Sequence, residues 1–78
     1  MPARFLTYEQ IAADLAERIT RGEYAPGTKL PSTRALAELY SVSTATVERA
    51  HIVLRERGLT YGVIGRGVFV AEREEGNS

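Results

Sequence analysis

The stretch 31–70 carries two short helical patterns joined by a tight turn, followed by two β-prone runs around Gly65-Arg66-Gly67. Ser32 precedes a pattern whose inner face is Leu36, Leu39 and Tyr40. Ser41-Val42 make the turn, with Val42 set to plug between the helices. Ser43 then precedes a pattern with Val47, Ala50 and Leu54 inward, ending at Arg57-Gly58. Serine suits an N-cap because its hydroxyl accepts from an amide that the first helical turn leaves unpaired, and glycine suits a stop because it enters left-handed backbone freely. The runs 59–64 and 68–71 are rich in β-branched and aromatic residues and close on glycines, which predicts a hairpin. Together these are the parts of a helix-turn-helix with a wing.

Upstream, Thr7-Tyr8-Glu9-Gln10 is a capping box, a hydroxyl three residues before a Gln that reaches back to the cap amide. It predicts a helix from about Tyr8, with Tyr8, Ile11, Ala12, Leu15 and Ile19 at helical spacing and Gly22 as its stop. Pro26-Gly27 predicts a type II turn in a loop anchored by Tyr24 and Leu30, and Lys29-Leu30 is placed to pair as a very short strand with the hairpin. The expected fold class is α+β, a small winged helix-turn-helix of three helices followed by a β-hairpin wing. The expected organisation is a flexible N-terminal arm at 1–6, in which Phe5 or Leu6 docks, a domain at 7–71, and a disordered acidic tail at 72–78 without an apolar residue.

The 78 residues leave room for one domain. A domain of that size buries only about 60% of its unfolded surface, so a second ligand-binding domain is excluded from this stretch. There is no Cys, which speaks against disulfides and thiolate metal sites, and the lone His51 cannot build a histidine cluster. No metal or cofactor is expected. No apolar run reaches the roughly 20 residues of a membrane helix and no signal-peptide pattern opens the chain, so a soluble, cytoplasmic protein is expected.

Formal net charge is zero, yet it is unevenly spread. Residues 1–27 balance at minus one and 72–78 at minus two, whereas 28–71 carry Lys29, Arg34, Arg49, Arg55, Arg57 and Arg66 against Glu38, Glu48 and Glu56. The excess of cations falls on the helix-turn-helix and wing, where an anionic partner such as double-stranded DNA would meet them.

At about 100° per residue, Ala45, Glu48, Arg49 and Ile52 lie away from the Val47 stripe. The start of the third helix thus shows Thr44, Ala45, Glu48 and Arg49 to solvent, and the free amides around Ser43 to Thr46 suit a phosphate. In a helix-turn-helix that end enters the major groove, where Arg reads guanine, Thr meets bases or phosphates, and an Ala methyl meets thymine. Taken singly, Ser43 is a cap, Thr44 and Thr46 are solvated hydroxyls and Arg49 is a surface charge. Glu48 costs affinity near phosphates unless it accepts from a cytosine amino group or pairs with an Arg. Arg34 either contacts DNA or pairs weakly with Glu38 four residues on. Arg66, between Gly65 and Gly67, projects from a tight tip that can enter a minor groove or clamp a phosphate. Lys29 is a peripheral phosphate contact or a solvated charge. His51, about 40° from Val47 at helical pitch, reads as a half-buried packing residue rather than a base reader.

Catalysis finds little support. Ser32, Ser41 and Ser43 are explained as caps or turn residues and no nucleophile elbow surrounds them, while Gly65-Arg66-Gly67 is too short for a phosphate-binding loop.

Several linked motifs have a familiar order: Tyr8-x-Gln10-Ile11-Ala12; Gly22-Glu-Tyr24-x-Pro26-Gly27-x-Lys29-Leu30-Pro31-Ser32-x-Arg34-x-Leu36-Ala37; Tyr40-x-Val42-Ser43 with Thr46-Val47 and Arg49-Ala50; and Gly65-x-Gly67-x-Phe69-Val70. Over most of the chain they resemble the DNA-binding domain of GntR-type bacterial transcription regulators. The resemblance implies a winged helix-turn-helix that binds palindromic operators as a homodimer, usually repressing, in the bacterial cytoplasm at the nucleoid. It implies DNA contacts at Arg34, at Ser43, Thr44 and Thr46, and at the Gly65 to Gly67 tip; Lys29, Ser32, Ala45 and Arg49 complete the expected DNA-binding set. Three departures stand out. Many relatives have Arg where this chain has Thr44 and Glu48, and relatives usually have Thr at Val68. The effector-binding and dimerisation domain typical of the family is not among these residues, so no small-molecule effector site is expected here. A winged-helix protein-interaction module is the alternative, since the fold also docks proteins and net charge is zero.

Overall fold

The capping box forms as the sequence requires: the Thr7 hydroxyl accepts from the Gln10 amide at 3.1 Å, and the Gln10 side chain accepts from the Thr7 amide at 2.9 Å. In the computed structural model, which describes residues 6–72, this starts helix α1 (Tyr8–Thr20), followed by α2 (Thr33–Tyr40), α3 (Thr44–Glu56) and strands β1 (Thr60–Val63) and β2 (Gly67–Val70). Ser32 and Ser43 cap α2 and α3, accepting from the Ala35 and Thr46 amides at 3.0 and 3.1 Å. The order is that of a winged helix-turn-helix, three helices and then a hairpin.

Between α2 and α3 the turn rests on Ser41, which adopts left-handed backbone at φ 59. The Val42 amide then reaches back to the Ala37 carbonyl at 2.9 Å, and the Val42 side chain packs on the core.

Ile11, Leu15, Leu36, Val47, Ala50 and Leu54 are fully buried where α1 and α2 pack on α3. Burying each of the larger side chains contributes about 1.5–3 kcal/mol. Leu39 departs from expectation: it is 55% exposed, while Ala37 is buried in its place. At about 100° per residue the arc shared by Leu36, Ala37 and Tyr40 is centred between the first two, and Leu39 falls about 110° from that centre.

The hairpin pairs Thr60 with Val70 and Val63 with Gly67, antiparallel. The strands are shorter than the expected runs, and the turn is Ile64-Gly65-Arg66, closed by the Arg66 amide on the Val63 carbonyl at 2.9 Å. Gly67 therefore belongs to β2 rather than to the tip. The expected pairing of the loop is a single bridge, Lys29 to Phe69, flanked by Leu30 donating to Val68 and Val70 donating to Thr28, both at 2.8 Å. Ahead of it, Thr28 donates to the Ala25 carbonyl across Pro26-Gly27, with Gly27 at φ 84, as a type II turn requires. Leu6 is half-buried against the core. The rest of the expected arm, Phe5 included, and the tail beyond Glu72 lie outside the described residues.

Candidate nucleic-acid interface

The start of α3 is built on two hydroxyls. Ser43 Oγ and Thr46 Oγ1 lie 3.0 Å apart, and Ser43 Oγ also accepts from the Thr46 amide, so both side chains are engaged in starting the helix. Thr44, Ala45, Glu48 and Arg49 are exposed beside them, as the helical phase predicts. Arg49 has a partner the sequence did not suggest: its guanidinium lies over the Tyr8 ring, 5.9 Å from the centroid. A cation over an aromatic face is held electrostatically, which restricts Arg49 without neutralising it.

Arg34 is exposed near the start of α2. Among the described residues it forms no ion pair with Glu38, and Lys29, Arg49 and Arg66 pair with no carboxylate. The ion pairs gather instead on α1 and the turn after it. Arg18 meets Asp14 and Glu23, both at 2.8 Å, and Arg21 meets Glu17 and Glu23 at 3.7 and 3.4 Å. Arg18 and Arg21 are thus balanced at home, and the cations of the loop, α2, α3 and the wing are not.

At the wing, Gly67 adopts φ 123, and a Cβ there would stand 2.7 Å from Lys29 Cε. The lysine stem lies across the bare glycine, which brings Lys29 beside the tip. Lys29, Ser32, Thr33, Arg66 and His51 line one cleft of about 360 Å³ between the start of α2 and the wing tip. His51 is more buried than expected, 7% exposed, and among the described residues neither ring nitrogen has a hydrogen-bond partner. Burial, and then the nearby Arg55 charge, hold its pKa below the ordinary 6.5, with Glu48 opposing. Of the predicted set, Lys29, Ser32, Gly65, Arg66 and Gly67 meet at this cleft; Thr44, Ala45 and Arg49 stand on α3, and Arg49 turns toward α1.

The match to "Bacterial regulatory proteins, gntR family" covers residues 7–70. The chain belongs to the gntR family. This gntR-family domain is 40% identical over 67 residues to the Exu regulon transcriptional regulator of Escherichia coli K12, covering 86% of this chain and 26% of that protein. It is 42% identical over 65 residues to the transcriptional repressor NagR of Bacillus subtilis, covering 83% and 27%. Its fold superposes on AraR(DBD) in complex with operator ORX1 with a TM-score of 0.81 at 32% identity, covering 87% of this chain and 82% of that one. The chain spans about a quarter of the length of the two regulators. These relatives are regulators rather than enzymes, and the gntR-family domain is a winged-helix DNA-binding domain of that regulator class. No helix among the described residues is long and apolar enough to cross a membrane.

Proposed function

We propose that this domain, residues 7–71, is the sequence-specific DNA-reading head of a bacterial repressor. It seats α3 in the major groove of a palindromic operator and the wing tip at the minor groove or its phosphates. The observation that carries this reading is the partition of charge. Arg18 and Arg21 are tied to carboxylates, whereas Lys29, Arg34, Arg49 and Arg66 face solvent around α2, α3 and the wing with no acidic partner among the described residues. Unpaired cations reach phosphates without first breaking an ion pair, and each phosphate neutralised releases counterions.

Within this reading Thr44 and Ala45 meet base edges, and Arg49, steadied by Tyr8, reads a base or a phosphate. Ser43 and Thr46, whose hydroxyls bond each other, present the helix start and its free amides. Ser32 and Arg34 at α2, with Lys29 and the Gly65-Arg66-Gly67 stretch, hold the backbone on either side. NagR is named a repressor and AraR(DBD) is bound to operator DNA, which supports the same role here. A head with so few cations binds weakly alone, and two copies on adjacent half-sites, a homodimer on DNA, multiply the affinity. The working compartment is the bacterial cytoplasm, at the nucleoid.

Selection from a random duplex pool, followed by affinity measurement across a salt series, tests the proposal. A recurring palindromic motif is expected, with Arg34→Ala and Arg66→Ala each weakening binding and lowering the salt slope by about one. Recovery of no motif, with affinity unchanged in both variants, would reject it in favour of a protein-docking module.

A further inference from the structure

The cleft between the start of α2 and the wing tip holds a buried imidazole that DNA contact at its rim does not explain. Lys29 and Arg66 stand at its edges, Ser32 and Thr33 form one wall, and His51 lines it from α3. Among the described residues no carboxylate lines it. The Ala35 amide is taken by the Ser32 hydroxyl, but the amides of Thr33 and Arg34, in the first turn of α2, have no acceptor within the helix. His51, which lines the same cleft, is 7% exposed, with both ring nitrogens buried and unpartnered among the described residues. A buried imidazole ordinarily finds a partner for its N–H and its lone pair, so His51 calls for one that the described residues do not supply.

We infer that this cleft seats one backbone phosphodiester of the bound DNA, taken by Lys29, Arg66 and the free Thr33 amide, and that His51 takes up a proton as the phosphate enters. The inference rests on the DNA-binding reading and adds to it a specific seat and a linked proton. In the free domain the groups around the ring oppose its protonation. Burial and the Arg55 charge one turn away on α3 do so, Glu48 favours the imidazolium, and Lys29 and Arg66 share the cleft from the loop and the wing, while Ser32 and Thr33 bring no charge from α2. A phosphate in the cleft neutralises Lys29 and Arg66 and adds a negative charge beside a ring shut off from water, where such fields act strongly. The proton comes from solvent and no covalent bond changes. DNA binding then tightens as pH falls.

His51 is the only histidine of the chain, so its imidazole gives a single resolved proton resonance set for an NMR titration. Adding a mixed-sequence duplex of about 20 base pairs at low salt, where phosphate contacts hold without a selected operator, is expected to raise the His51 pKa by about one unit or more. Affinity measured by anisotropy is expected to rise toward low pH, by at most about tenfold per pH unit for one linked proton. His51→Leu, which removes a group with no hydrogen bond to lose, and His51→Gln, should both abolish that slope. Every other titrating group, the terminal amine included, is retained in them. A duplex that binds while the imidazole titration stays put, or a slope that survives in both variants, overturns the inference and leaves DNA binding intact. Failure of the duplex to bind at any pH removes the DNA-binding reading and this inference with it. Inorganic phosphate at matched ionic strength is the second probe. An imidazole moved by phosphate and not by duplex overturns the phosphodiester seat.

Discussion

Tyr40 on α2 donates a 2.6 Å hydrogen bond to Asp14 on α1, and the same carboxylate oxygen accepts from Arg18 Nε at 2.8 Å. The bond from Tyr40 and then that from Arg18 hold the Asp14 carboxyl below its ordinary pKa, while burial first and Asp14 second push the Tyr40 phenol up. This joint ties the end of α2 to α1, two helices that both pack on α3.

Tyr40→Phe removes that bond and keeps the ring. Because the site is partly open to water, the loss is expected to be about 1 kcal/mol, read as a lower urea midpoint at unchanged m-value. The Asp14 contribution is present above its ordinary pKa of 3.8 and lost as pH falls through its depressed folded value. In Tyr40→Phe this acid-side loss should shrink.

Gly67 combines φ 123 with the Lys29 stem across it. In Gly67→Ala the strained backbone should cost about 1–2 kcal/mol, and the new methyl should push Lys29 off the wing and weaken DNA binding. Gly62, with ordinary φ and open space around it, is the control. Gly62→Ala should leave the unfolding free energy from urea titration within about 0.5 kcal/mol of the parent.

Ser41 ends α2 at φ 59, where only glycine is free of strain. Ser41→Gly is therefore expected to stabilise the domain by about 0.5–1 kcal/mol, the relief of left-handed strain exceeding the added chain entropy. A lower thermal midpoint in the variant would contradict this account of the turn.

His51 also governs stability near neutral pH. Its folded pKa lies below the unfolded 6.5, so the unfolded chain binds the proton more readily. The neutral ring's contribution is complete above pH 6.5 and is lost as pH falls from there through the folded value. The urea midpoint should decline over that window in the free domain, and His51→Leu should flatten it.

Tyr8 touches no DNA in the proposed pose, yet it carries the Arg49 guanidinium at 5.9 Å. Tyr8→Ala frees Arg49 to wander and is expected to weaken operator binding by about two- to fivefold, in line with the modest worth of an exposed cation–π pair. Equal affinity of the two proteins would show that Arg49 needs no such support.

Legibility tracks sequence distance. The caps at Thr7, Ser32 and Ser43 and the stop at Gly22 were plain in the chain because each is a contact within one helical turn. The core face of α3 followed from the same periodicity. Leu39 did not, because in a helix of eight residues a rotation of part of a turn decides which neighbour is covered.

Sequence alone thus determined the elements, their order and the cations they carry, since caps, turns and period depend on neighbours a few residues apart. Tertiary structure alone decided that Asp14 meets Tyr40, that Arg49 rests on Tyr8, and that His51 lies unpaired in a cleft with Lys29 and Arg66. Those relations join side chains far apart in the chain, and only the crossing of α1, α2 and the wing over α3 brings them within reach of one another.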